Sequence, residues 1–163
     1  MDTANSHIFE MKDDLLSFEQ GKSILVCKNS GDKKVRWAKK INDISLVYTI
    51  LEDSENYYAA CESTDTSGEF LALSKKDGST VWYIPGRAFL QQLFDGYLYL
   101  IFIDEKGSYY LIKVDKKKGE KIWYHQVDED LKEYSFNKER IVFKYRSGKI
   151  EKIYPSTGQV TEL

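Results

Sequence analysis

Asp77-Gly78-Ser79-Thr80-Val81-Trp82 and Lys118-Gly119-Glu120-Lys121-Ile122-Trp123 share one phrase, a glycine followed four residues later by tryptophan. Two other stretches carry it in altered form. Ser30-Gly31-Asp32-Lys33-Lys34-Val35-Arg36-Trp37 reads as the same phrase with two extra residues, and Thr157-Gly158-Gln159-Val160 begins it a fourth time. Gly31, Gly78, Gly119 and Gly158 are separated by 47, 41 and 39 residues. A second series, Gly21, Gly68, Gly107 and Gly148, runs 10, 10, 12 and 10 residues ahead of the first. Two series kept in phase mark an internal repeat of roughly 40 residues, the length of one supersecondary unit.

Turn chemistry gives the repeat its physical sense. Glycine occupies φ > 0 without steric cost, which short hairpin loops require. The runs between the turns are rich in Tyr, Phe, Ile and Val, residues that fit a pleated sheet. No long stretch places apolar residues at i, i+3, i+4 and i+7, so no helix is expected. The third unit divides into strands over 88–93, 97–103, 109–114 and 121–126, and the other three divide in the same way. In Tyr97–Ile103 both alternating sets are apolar, the mark of a strand covered on both faces. Ile141, Phe143 and Tyr145 form one apolar face of a strand in the fourth unit. The expected fold is all-β: a four-bladed β-propeller-like meander of four four-stranded antiparallel units in one domain, at 6–39, 44–85, 87–127 and 131–163. Stacking such units buries the central strands and leaves only short edges. A β-barrel or sandwich is the alternative.

The phrases around Gly78 and Gly119 resemble the β-propeller repeat of quinoprotein-like, pyrroloquinoline-quinone-type domains. In that repeat a strand ending Ala-x-Asp leads into a Thr-Gly turn, with tryptophan four residues after the glycine. Ala72, Gly78 and Trp82 match in one copy, Asp115, Gly119 and Trp123 in the next, and Thr157 and Gly158 in the last, where Glu162 replaces the tryptophan. The first copy keeps Gly31 with its tryptophan displaced to Trp37. The resemblance implies that Trp37, Trp82 and Trp123 pack between adjacent blades. It does not carry the quinone chemistry: the chain has four units and no adjacent cysteines, so no cofactor is expected.

Composition narrows the function by exclusion. A net charge of −2 with both signs interleaved is a solvated surface, not a polyanion-binding one. The run Lys113, Lys116, Lys117, Lys118, Lys121 contains Asp115 and Glu120 and reads as a soluble turn, so no nucleic-acid partner is expected. No segment approaches the ~18 apolar residues of a membrane span. Met1–Ser6 lacks a basic region leading into an apolar run, which predicts no signal peptide. Cys27 and Cys61 lie inside apolar runs and read as buried free thiols. Together these favour the cytoplasm.

No phosphate loop, nucleophile elbow or calcium loop is present, and neither His7 nor His125 has a metal partner at ligand spacing. His125 with Asp128, Glu129 and Asp130 is the one cluster able to build a cation or acid–base site. Some of Tyr57, Tyr58, Tyr97, Tyr99, Tyr109, Tyr110 and Tyr124 could form an aromatic surface of the kind enriched at interfaces. The leading expectation is a non-catalytic protein-interaction module with a protein partner. The alternatives are a small ligand-, sugar- or ion-binding or enzymatic propeller, and an immunity- or inhibitor-type protein. The unit count also raises the pairing of two chains into a larger ring.

Overall fold

The structure, a computed structural model, describes residues 6–162. Among them there are strands and no helix. The first sheet contains β1 (Ser6–Glu10), β2 (Asp14–Glu19), β3 (Ile24–Asn29) and β4 (Val35–Lys40). The second contains β5 (Leu46–Glu52), β6 (Asn56–Glu62), β7 (Gly68–Ser74) and β8 (Thr80–Pro85). The third contains β9 (Arg87–Phe94), β10 (Tyr97–Ile103), β11 (Tyr109–Val114) and β12 (Lys121–Val127). The fourth contains β13 (Leu131–Phe136), β14 (Ile141–Tyr145), β15 (Ile150–Ile153) and β16 (Val160–Glu162). Strands within each sheet are hydrogen-bonded in chain order, the meander that the two glycine series imply. Leu163, the last residue of the fourth expected unit, lies outside the described residues.

The described residues pack as two compact units, one ending at Ala88 and one beginning at Phe89. In the first, Leu16, Leu25, Val47, Ala59 and Leu73 are wholly buried. In the second, Leu111, Ile141, Phe143 and Ile153 are wholly buried. β10 is covered along nearly its whole length, as its two-sided apolar pattern requires. Cys27 and Cys61 are both free and buried. Lys113 leaves the expected solvated run: it is buried, 6% exposed, on the inward side of β11.

Register explains how each tryptophan faces inward. The ladders between the third and fourth strands shift at Cys27/Lys28, Ala72/Leu73 and Lys113/Val114. In each, one residue of the fourth strand is skipped: Arg36, Val81 or Ile122. A one-residue slip exchanges the two faces of a strand, so the bulge turns the next side chain over. Trp37, Trp82 and Trp123 consequently lie directly opposite Cys27, Ala72 and Lys113. β15 and β16 pair without a shift, Glu151 opposite Glu162. The sheet that lacks the tryptophan also lacks this bulge between its third and fourth strands, its register shift lying between β13 and β14 at Leu131/Glu133.

One expectation is corrected here. Gly31 is not the counterpart of Gly78. The Gly78, Gly119 and Gly158 amides donate to the carbonyls four residues earlier at 2.9, 2.8 and 2.8 Å, and φ at these glycines is 74°, 71° and 75°. In the first sheet the residue with that bond and that conformation is Lys33, which donates to Asn29 O at 3.0 Å with φ 63°. Gly31 instead donates to the Asn29 side-chain oxygen at 2.9 Å. Trp37 therefore stands four residues after its turn residue, as Trp82 and Trp123 do. The displacement inferred from Gly31 is a misalignment caused by following glycine rather than backbone conformation.

Candidate functional site

Two tryptophan docking sites are visible in full, one in each unit. In the first unit the Trp37 indole Nε1 donates to Lys75 O at 3.1 Å, and Arg36 Nη2 donates to the same carbonyl at 3.1 Å. The ring lies flat against Gly78, where a Cβ would come within 2.4 Å of it. In the second unit Trp123 Nε1 donates to Pro155 O at 2.9 Å, joined by Lys113 Nζ at 2.8 Å. Its ring lies against Gly158, where a Cβ would come within 2.7 Å. Each site thus has one carbonyl receiving an indole N–H and a cation, over a glycine that has no room for a side chain. Trp82 is 7% exposed and packs beside Tyr58 and Phe70, with ring centroids 6.0 and 6.1 Å away.

The cations are held differently. Arg36 Nη1 meets Asp14 Oδ2 at 2.5 Å, and the Tyr57 hydroxyl donates to the same oxygen at 2.5 Å. Asp14 is 1% exposed. Burial raises its pKa, but the hydrogen bonds from Tyr57 and Arg36 and the Arg36 charge lower it further, leaving the group below its ordinary value. Burial first, then the Asp14 charge, pushes the neighbouring Cys27 thiol up to about 12, so it stays a neutral thiol. Lys113 has aromatic company instead: its ammonium sits 4.0 Å from the Tyr97 ring centroid and 5.9 Å from that of Tyr99. Burial lowers its pKa.

The His125 cluster forms in part. His125 Nε2 lies 2.9 Å from Glu151 Oε2, across from β12 to β15. The Tyr145 hydroxyl donates to Glu151 Oε1, and burial, then that bond, raises the tyrosine's pKa. Lys149 Nζ lies 2.8 Å from Asp128 Oδ2 and 4.0 Å from Glu151 Oε2. Asp130 does not join: its carboxylate accepts from the Ser147 amide at 2.9 Å and fixes a turn. Sequence reading missed Glu151, Tyr145 and Lys149. The signal available was Glu151 itself, a carboxylate two residues from Ile153 and so on the same face of a short strand, Ile150-Glu151-Lys152-Ile153. Glu151 is buried and spends both oxygens on internal donors, so the cluster is a closed network. Among the described residues no group of three or more His, Cys, Asp or Glu side chains could hold a metal ion.

Apolar surface gathers on the fourth strands. On β8, Val81 and Tyr83 are 45% and 58% exposed, and β8 carries no charged residue. On β12, Ile122 and Tyr124 are 46% and 71% exposed. β4 differs, with Arg36, Lys39 and Lys40 in six residues. The tyrosines therefore divide: Tyr57, Tyr58 and Tyr99 are core, and Tyr124 is surface.

No protein-family model matches the chain, and no curated protein matches it. Solved structures do. BamB from Moraxella catarrhalis superposes with a TM-score of 0.68 at 14% identity, over 95% of this chain and 47% of its own. A europium-containing methanol dehydrogenase gives 0.71 at 11% identity, over 96% of this chain and 40% of its own. The computationally designed Ika4 protein gives 0.65 at 9% identity, over 94% of both chains. This chain thus spans about half the length of BamB and less of the dehydrogenase. At such identities the likeness is one of fold, and the fold of this chain, four antiparallel four-stranded sheets without a helix, is that of a β-propeller.

Proposed function

We propose that the chain is a non-catalytic protein-interaction module on a β-propeller scaffold. The observation that carries it is β8: an outer strand with no charged side chain and with Val81 and Tyr83 turned to solvent. Outer strands left to water are ordinarily defended by charge, as β4 is. An undefended one, presenting a tyrosine beside an aliphatic residue, has the composition of an interface core. The partner is a protein with a complementary apolar patch. The same reading places the module in the cytoplasm and gives no role to nucleic acid, membrane or a cofactor. Pairing of two copies belongs to it as well, and a mass in solution above that of one chain is its expected result.

A photo-crosslinking side chain at position 83, with the same group at Tyr134 as a surface control, tests the main reading in native lysate. A discrete protein adduct from position 83, lost on Val81→Lys, is the expected result. Equal capture from both positions, or none from 83, overturns it.

A further inference from the structure

We propose that a cleft of the second unit binds an organic ammonium whose apolar body is about the size of one ring. The cleft lies between the third sheet and the 127–131 connection that leads into β13. Its floor is Leu90, Ile101, Val127 and Leu131, with Phe89 and Tyr109 as flanking rings and Asp128 and Glu129 at its rim. Its volume is about 210 Å³. An apolar cavity of about 150 Å³ accepts benzene, so this one has space for a single ring with a short substituent.

Three features select the charge of the occupant. Ile101 and Val127 are 5% and 3% exposed, so the well is apolar and firmly packed. Phe89 is 42% exposed and stands edge-on to Tyr109, with ring centroids 5.5 Å apart. Exposed aromatic surface lining a cleft attracts a cation through its quadrupole. No basic side chain lines the cleft, while two consecutive carboxylates do. Lys149 neutralises Asp128 at 2.8 Å. No ion pair involves Glu129 among the described residues, so one negative charge at the rim is uncompensated. An anionic ligand is repelled there. A neutral apolar one gains only burial. A ring-bearing ammonium satisfies both the well and the rim.

This site is independent of the β8 reading, and its test does not involve a protein partner. Benzylammonium, benzyl alcohol and phenylacetate are titrated into the full chain, with backbone amide resonances followed by NMR. The expected result is saturable shifts at 89–90 and 127–131 with benzylammonium, about fivefold weaker binding of the alcohol, as a half-exposed ion pair allows, and none of phenylacetate. Glu129→Gln, a near-isosteric change at an exposed position, brings the ammonium down to the affinity of the alcohol. Equal affinity for the ammonium and the alcohol, binding of phenylacetate, shifts confined to other residues, or indifference to Glu129→Gln each overturns the proposal.

Discussion

The docking sites at Trp37 and Trp123 are one device built with two different cations. Both place an indole N–H on a turn carbonyl, lay the ring on a glycine, and add a cation to the same carbonyl. In the first unit the cation is the bulge residue Arg36, and it neutralises the buried Asp14. In the second it is Lys113, opposite Trp123 across the ladder, and it rests on Tyr97 with no ion-pair partner among the described residues. The comparison separates what the fold needs from what one copy happens to use. Indole, carbonyl and glycine are common to both sites. The charge is local, and its energetic sign differs: Arg36 answers a buried carboxylate, whereas Lys113 is itself a desolvated charge.

The largest expected effect tests the shared part. Trp37→Ala should lower stability by about 3–5 kcal/mol, the range for deleting a buried large ring. Trp123 is less buried, and Trp123→Ala should cost about 2–3 kcal/mol. Urea denaturation measures both, and equal losses would dissolve the distinction between the sites. Gly78→Ala follows, at about 2–4 kcal/mol, because a Cβ meets the Trp37 ring and must also adopt φ 74°. Gly31→Ala should stay within about 0.5 kcal/mol, and a large loss there would restore Gly31 as the turn residue.

The cations give the next effect. Arg36→Met strips a buried carboxylate of its charge partner and should cost about 2 kcal/mol, under the buried-pair range because Arg36 is 36% exposed. Lys113→Met should fall within about 0.5 kcal/mol of zero, since a thioether fills the space without a desolvated charge. The pH dependence has a defined sign. Asp14 has a lower pKa folded than unfolded, so its stabilisation is present above the ordinary 3.8 and is lost as pH falls through the folded value. In Arg36→Met, burial of Asp14 faces less opposition, and acid-induced loss should begin at a higher pH. Acid titrations of both proteins, followed by tyrosine and tryptophan fluorescence, show whether the order holds. A similarly small effect, of opposite sign to the losses above, is expected at Lys33. Lys33→Gly relieves a left-handed conformation but frees the unfolded chain, for a net gain of about 0.5 kcal/mol.

How far the residues alone could be read is clearest at these positions. Gly78 and Gly119 were legible because glycine is the residue that takes φ > 0 without strain, and the tryptophan spacing followed. Lys33 was not legible: a lysine in the left-handed region has no signature in sequence, and the nearby Gly31 offered a false one. His125 was singled out, but Asp130 was attached to it by proximity in sequence. Its actual partner, Glu151, lies 26 residues away on another sheet. Lys113 was grouped with its lysine neighbours, though its strand position turns it inward.

Sequence by itself determined the number of sheets and their strand order. Those follow from period-two patterning and from turn residues, which act within a few positions of one another. Tertiary structure decided which carbonyl each indole meets, which carboxylate is buried with which cation, and which strand surfaces stay open to a partner or a ligand. Those depend on how one sheet lies against the next, and no local rule of residue chemistry encodes the identity of a neighbour brought in from a distant part of the chain.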